Sequence, residues 1–416
     1  MSSIPAQYKR TKFACYFNYP SMAAVFSLPP MLFLTFREMY GISYTLLGTL
    51  VLVNFCTQLT VDLIFSFFTK YFNIQKTVCF TPLICTAGFL IYCLVPALFP
   101  QYAYAGLVVG TLVFSIAAGL SEALISPTLA AIPGTDERDM SFLHSMYAWG
   151  VLAVILISTL YFQIFGRQNW LWLALIMACL PIITSVLFFT SSMPEMDITP
   201  AQGQSGSKKR TYAMALCVAC IFMGSAAENT MTNWISSFVE SALSIPKAAG
   251  DVLGMAAFIS LLGLARVLHS KYGGKMINIL LVSMIAAVVC YLTASRRPSP
   301  VLALIACVLT GFFTSLLWPG TLILMEEQIP GVGVAAYALM AAGGDFGGSI
   351  APQMMGIIVD SVSASEWAVQ IGTQLSLAPE QVGMKVGMLA AAAFPVIGTF
   401  LLLYMKRYFR KNPLKS

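Results

Sequence analysis

The sequence predicts an all-α integral membrane protein with twelve membrane-spanning helices, on three observations. Apolar residues make up 58% of the 416-residue chain and charged residues only 10%, whereas a soluble domain averages about 25% charged residues. The apolar residues form repeated runs of about 18 or more, which are long enough to cross a bilayer as helices. These runs are continuously apolar, which excludes porin-type strands because such strands alternate apolar and polar residues.

Charged residues, prolines and glycines divide the chain into twelve apolar segments. Each is long enough for a hydrocarbon core of about 30 Å at about 1.5 Å per residue. The segments cover residues 13–36, 43–69, 77–97, 103–132, 141–165, 170–191, 212–238, 247–270, 276–294, 300–326, 333–360 and 384–406. Because the number of crossings is even, both termini are expected on the same side of the membrane.

The distribution of Lys and Arg predicts which side that is. With both termini in the cytoplasm, 17 of the 23 Lys and Arg residues lie on the cytoplasmic side and six on the outer side. The positive-inside rule therefore predicts a multi-pass protein of the cytoplasmic membrane with cytoplasmic termini. Since the basic residues lie at segment ends and not on one soluble face, the net charge of +6 indicates no nucleic-acid partner.

Neither the cysteines nor any sequence motif predicts a cofactor. All ten cysteines fall within apolar segments, where free cysteine behaves as a small hydrophobic residue, so we expect neither a disulfide framework nor a metal site. The chain has no glycine-rich phosphate loop of the Walker type. It also has no serine–histidine–acid order that would indicate an embedded enzyme.

One long polar stretch separates two halves of similar length. Residues 193–211 are rich in Pro, Gly and Ser and end in Lys208-Lys209-Arg210, a composition typical of a flexible linker. The sequence therefore predicts a six-helix bundle over 1–192 and another over 212–416. Segments four and ten also share proline-containing breaks, at Ser126-Pro127 and Trp318-Pro319-Gly320, which hints at a repeat.

Glu122 is the strongest candidate functional residue. It lies in segment four among small residues, and a charged side chain at the centre of a spanning helix costs about 2.5–3.5 kcal/mol on insertion scales. We therefore expect it to be protonated, paired or facing water in a cavity, and we predict that it takes up a proton. The alternative is a neutral carboxyl that is hydrogen-bonded to another helix.

Segment seven carries an unusual density of polar side chains in the stretch GSAAENTMTNWISSF. Glu228, Asn229, Asn233 and Trp234 are predicted to line a wet cleft, where amides and carboxylates bind a polar solute and an indole covers the face of a sugar ring. The alternative is that these groups hold neighbouring helices together.

Five further residues are weaker candidates, namely His144, Tyr147, Asp62, Asp345 and Arg266. Tyr147 follows His144 by about one helical turn. His144 opens segment five, and a solvated histidine is as good an interpretation there as a ligand or a proton relay. Asp62 in segment two and Asp345 in segment eleven are predicted to serve structure or gating more than solute contact. Arg266, near the end of segment eight, is predicted to extend to the interface or to clamp the inner gate.

The twelve-segment plan resembles the major facilitator superfamily over nearly the whole chain. Within it, GLSEALISPTLAAIPG with SFLHSMYAWG, and GSAAENTMTNW with LLGLARVLHSKYGGK, resemble the fucose permease group of sugar:proton symporters. The resemblance implies roles for Glu122, His144, Glu228, Trp234 and Arg266 in solute binding or proton coupling.

The chain also departs from that group. The first helix, SMAAVFSLPPML, lacks the aspartate that the group carries there, and the loop between helices two and three keeps only basic Lys70 and Lys76 of the superfamily motif. Fucose itself is therefore not implied as the solute.

These observations predict a secondary transporter that works by alternating access. We expect a small-molecule solute, most simply a sugar, with protons as the coupling ion, in a protein that acts as a monomer in the lipid bilayer. One alternative is a proton-coupled exporter of drugs or metabolites on the same fold. A second is a transporter-like sensor, which would need a soluble output domain or a long tail.

Overall fold

The computed structural model describes residues 5–68, 72–135, 137–195, 208–272, 274–296, 299–329 and 334–412. The described part of the chain is helical and contains no strands. Most of the predicted linker, including residues 196–207, lies outside the described residues.

Sixteen α-helices follow one another along the described part of the chain. They are α1 (Lys9–Tyr40), α2 (Tyr44–Phe68), α3 (Ile74–Leu98), α4 (Ala103–Ala130), α5 (Glu137–Phe165), α6 (Trp170–Phe189), α7 (Lys208–Ser237), α8 (Lys247–Gly250), α9 (Ala257–Tyr272), α10 (Met276–Arg296), α11 (Pro300–Thr314), α12 (Pro319–Gln328), α13 (Val334–Ser363), α14 (Glu366–Leu375), α15 (Pro379–Ala391) and α16 (Ala393–Lys411).

The prediction of an all-α membrane protein is confirmed. Among the described residues, eleven helical stretches are long and apolar enough to cross a membrane. Helix α13, which has 30 residues, corresponds to the predicted segment 333–360, so every predicted segment has a helical counterpart.

Three of the spans are built from more than one helix. In the eighth span a π-helical turn, Asp251–Ala256, joins α8 to α9, and the tenth span is interrupted between α11 and α12. The twelfth span comprises α15 and α16. Helix α14, which has 10 residues, lies between the helices that correspond to segments eleven and twelve, where no membrane-spanning segment was predicted.

The described residues form two compact units. The first comprises Met1–Ile42 and Val53–Pro200, and the second comprises Ser43–Leu52 and Ala201–Ser416. The first turns of α2 therefore belong with the second unit. There, the backbone N–H groups of Tyr44 and Thr45 donate to the Asp360 carboxylate at 3.1 and 2.6 Å, which satisfies donors that a helix start leaves free.

Glycines allow the closest helix approaches within each unit. In the first unit, a Cβ on Gly88 of α3 would lie 2.4 Å from the backbone nitrogen of Phe114 on α4. In the second unit, a Cβ on Gly347 of α13 would lie 2.2 Å from the carbonyl oxygen of Phe222 on α7. Small residues permit such approaches between membrane helices, and these contacts hold the faces that carry the polar residues described below.

We expect Gly347→Ala to destabilise the second unit by about 1–3 kcal/mol, because the added methyl group overpacks a backbone contact. Gly263→Ala is the matched control, since a Cβ on Gly263 would meet nothing within 4 Å. The thermal unfolding temperature of each purified variant checks this. A Gly347→Ala protein as stable as Gly263→Ala would contradict the close approach of α7 and α13.

Candidate functional site

A polar seam runs between α2 and α4 in the first unit. The Gln58 amide donates to Asn54 Oδ1 at 2.9 Å, and the Ser115 hydroxyl donates to the same oxygen at 2.6 Å. The two helices approach closely at Gly119, where a Cβ would lie 3.1 Å from Val61 Cβ. Because residues four apart share one helix face, the seam continues from Gln58 to Asp62.

Glu122 lies at the end of this seam. Its side chain is exposed, and its carboxyl group is within electrostatic range of the Asp62 carboxyl group and the Tyr19 hydroxyl group. The Tyr19 hydroxyl is also 3.2 Å from Ser126 Oγ, one helical turn beyond Glu122. The structure thus places Glu122 next to Asp62 and adds Tyr19, a residue that the sequence did not single out.

The Asp62–Glu122 pair has no counterion among the described residues. Neither carboxylate forms an ion pair with a described Lys, Arg or His. Glu122 lies about 12 Å before the end of α4 at about 1.5 Å per residue, which is within the span. Two like charges at that depth repel each other, and a proton on either carboxyl removes the repulsion.

A second constellation joins three spans of the second unit. The Glu228 Oε1 atom of α7 lies 3.8 Å from Arg266 Nη2 of α9. Arg266 Nε donates to the Ser315 carbonyl at 3.1 Å, and Ser315 is the first residue of the interruption between α11 and α12. The break exposes carbonyls that an intact helix would use itself, so the interrupted helix offers an acceptor to the guanidinium.

Arg266 extends toward groups that lie well within their helices, and its predicted role at the interface or the inner gate stays a prediction. Glu228 lies 20 residues into α7, about 30 Å along it, and Ser315 directly follows the last residue of α11. Arg266 reaches these two groups, and not the end of α9, so its guanidinium is directed toward the middle of the bundle. Its side chain nevertheless remains 47% exposed.

The two asparagines of α7 bond mainly along their own helix. Asn229 Nδ2 donates to the Ser225 carbonyl and hydroxyl, each at 3.1 Å, and Asn233 Nδ2 donates to the Asn229 carbonyl at 2.8 Å. Asn229 is half-buried, whereas Asn233 is only 8% exposed. Of the two, Asn229 is therefore the more accessible side chain.

Trp234 is placed as a packing residue and does not line a wet surface. It is fully buried, and its indole N–H donates to the Pro352 carbonyl of α13 at 3.1 Å. Its ring packs against Tyr44 with 5.7 Å between the centroids. The carbonyl of Pro352 accepts this bond within the second unit, so the indole ties α7 to α13.

We expect Trp234→Phe to lower the free energy of unfolding by about 0.5–1.5 kcal/mol, the usual net contribution of one hydrogen bond. The apparent affinity for solute should stay the same, because the ring does not face it. Thermal unfolding and the KM of uptake measure the two effects separately. A raised KM at unchanged stability would return Trp234 to the solute-binding residues.

The remaining predicted residues are His144, Tyr147 and Asp345. The side chain of His144 lies outside the described residues. Tyr147 is half-buried on α5 and packs edge-on against Phe26 with 6.0 Å between the centroids. Asp345 is half-buried on α13, between glycines that approach α7.

A buried ion pair was also missed by sequence reasoning, which counted Lys247 as an outer interfacial charge. Lys247 Nζ lies 3.2 Å from Asp251 Oδ2, with both side chains almost fully buried. Ser236 of α7 accepts from Lys247 at 3.2 Å and donates to Asp251 at 2.6 Å. The spacing of four residues was visible in the sequence, but the covering by α7 was not.

Comparison with known proteins identifies the fold of this chain. Residues 18–352 match the sequence profile of the Major Facilitator Superfamily. Over 100% of both chains, the structure resembles a bacterial homolog of the human lysosomal transporter Spinster, in an inward-facing and occupied conformation, with a TM-score of 0.76 and 12% identity.

Two solved sugar symporters are also similar in structure. A D-xylose–proton symporter matches with a TM-score of 0.70 and 11% identity, over 94% of this chain and 97% of the other. The fucose:proton symporter of E. coli matches with a TM-score of 0.56 and 11% identity, over 94% and 99%. At these identities the likeness concerns the fold alone. No curated protein sequence matches the chain significantly.

Proposed function

Because the chain belongs to the Major Facilitator Superfamily, and is thus a transporter and not an enzyme, we propose that it moves a small polar solute by secondary active transport coupled to protons. The solute is a sugar or a related metabolite. The protein is a monomer in the cytoplasmic membrane, with both termini in the cytoplasm.

Alternating access requires two bodies that rock around a central site. In our proposal these are the bundles over 1–192 and 212–416, with 193–211 as the connection. Asp345, among the glycines of α13, acts in gating. Glu228, Arg266 and Asn229 contact the solute from the second bundle.

The observation that carries the proposal is the Asp62–Glu122 pair. The two carboxyl groups lie on separate membrane-spanning helices within electrostatic range of each other, and neither forms an ion pair with a described basic residue. A structural carboxylate at this depth would be paired or fully hydrogen-bonded. An exposed one, with a second carboxylate beside it, is suited to binding and releasing a proton.

Uptake by proteoliposomes tests the proposal. The purified protein is reconstituted, an inward proton gradient is imposed, and the entry of labelled neutral sugars, sugar acids and amphiphilic amines is followed. We expect a sugar or sugar derivative to accumulate faster with the gradient than without it. Movement of amphiphiles alone, outward and against protons, would instead identify an exporter, and uptake that ignores the gradient would exclude proton coupling.

A further inference from the structure

The guanidinium of Arg266 has donors that no described residue accepts from. Its Nε is bonded to the Ser315 carbonyl, and Nη2 lies 3.8 Å from Glu228. Neither terminal nitrogen donates a hydrogen bond to a described residue. Arginine carries five N–H donors in a fixed fork, and four of these donate to no residue in the part of the chain that the structure describes.

The ion pair with Glu228 is too long to occupy these donors. A charge-assisted N–H···O bond is about 2.7–2.9 Å, whereas the closest described separation here is 3.8 Å. Glu228 Oε2 is buried and has no hydrogen-bond partner among the described residues. The pair is therefore close enough to neutralise charge but leaves both groups incompletely bonded.

The bond to Ser315 fixes the orientation of the fork. Because Nε is held by a backbone carbonyl in the interruption of the tenth span, the planar guanidinium presents its Nη edge away from that carbonyl. Almost half of the side chain is exposed. This is the arrangement that recognises a carboxylate or a phosphate by two parallel hydrogen bonds.

We infer that Arg266 is the receptor for an anionic group on the solute, and that the transported compounds are carboxylate-bearing metabolites such as sugar acids. The inference rests on the proposed function and narrows its solute class. A sugar hydroxyl accepts these donors singly, whereas a carboxylate accepts two parallel hydrogen bonds and so completes the bonding of the fork.

Matched pairs of neutral and acidic compounds test the inference. Thermal stability of the purified protein is measured with glucose against gluconate, and with galactose against galacturonate. We expect only the acids to stabilise it. Arg266→Gln should abolish their effect, and Arg266→Lys should weaken binding by about tenfold or more, because the lysine loses the two-bond geometry and each charged bond is worth about one order of magnitude in affinity.

Arg167→Gln is the matched control. It removes an arginine that pairs with Glu38 at 3.3 Å in the first unit, so acid-dependent stabilisation should persist. Each variant is compared with its own ligand-free stability, which separates misfolding from loss of binding. Acid binding that survives Arg266→Gln, or equal stabilisation by neutral sugars, would overturn the inference.

Transport measurements distinguish failure of the anion-receptor inference from failure of the proposed transport function. Proton-driven uptake of neutral sugars, unaffected by Arg266→Gln, would refute the anion receptor while leaving the transporter proposal intact. Uptake of neither class in either direction would refute the proposed function itself.

Discussion

Glu122→Gln is expected to abolish proton-driven accumulation while leaving solute exchange across the membrane intact. Glutamine keeps the shape and hydrogen bonding of the side chain beside Asp62 and Tyr19, but it cannot release a proton. Uphill uptake under an inward proton gradient should fall by about tenfold or more, which lies within the usual range of coupling between two bound ligands. Counterflow needs no net proton movement, so it should proceed at close to the original rate.

Glu38→Gln is the control for this substitution. Glu38 is 62% exposed and pairs with Arg167 at 3.3 Å, and an exposed pair of this kind contributes little. Both uptake and counterflow should be unchanged. If Glu122→Gln behaved like Glu38→Gln, the Asp62–Glu122 pair would have no part in coupling.

Replacing Arg266 alone is expected to lower the free energy of unfolding more than replacing Arg266 and Glu228 together. In Arg266→Gln, the carboxyl group of Glu228, which is only 17% exposed, loses its only nearby cation among the described residues. Breaking a buried pair costs about 3–5 kcal/mol, and replacing both partners costs far less. Because Arg266 is almost half exposed, we expect roughly 1–3 kcal/mol for the single substitution.

A double-mutant cycle measures this difference. The four proteins are the original chain, Glu228→Gln, Arg266→Gln and the double variant, and the readout is the free energy of unfolding in detergent. The double variant should be more stable than the sum of the single effects predicts. Strictly additive effects would mean that the two side chains do not interact.

The spans were largely predictable from the sequence because hydrocarbon thickness fixes their length. The predicted segment 77–97 corresponds to the helix Ile74–Leu98, and the predicted segment 170–191 corresponds to the helix Trp170–Phe189. Trp318-Pro319-Gly320 likewise marked the place where the tenth span is interrupted. Helix α14 was not predicted, since its ten residues are too few to cross a bilayer.

The candidate site was less predictable because the sequence does not say which face of a polar helix packs. Glu228 and Trp234 lie six residues apart on α7, yet one meets Arg266 and the other is sealed against α13. Rotation around the helix axis separates them, and only the glycines of α13 determine which side is covered. For the same reason Tyr19, on a different helix, was not associated with Glu122.

Simultaneous recording of solute and proton entry into proteoliposomes tests the central claim most directly. With a solute gradient and no imposed pH difference, the original protein should acidify the vesicle interior as solute enters, and Glu122→Gln should admit no protons with it. Solute entry by the original protein without any accompanying proton flux would contradict the account.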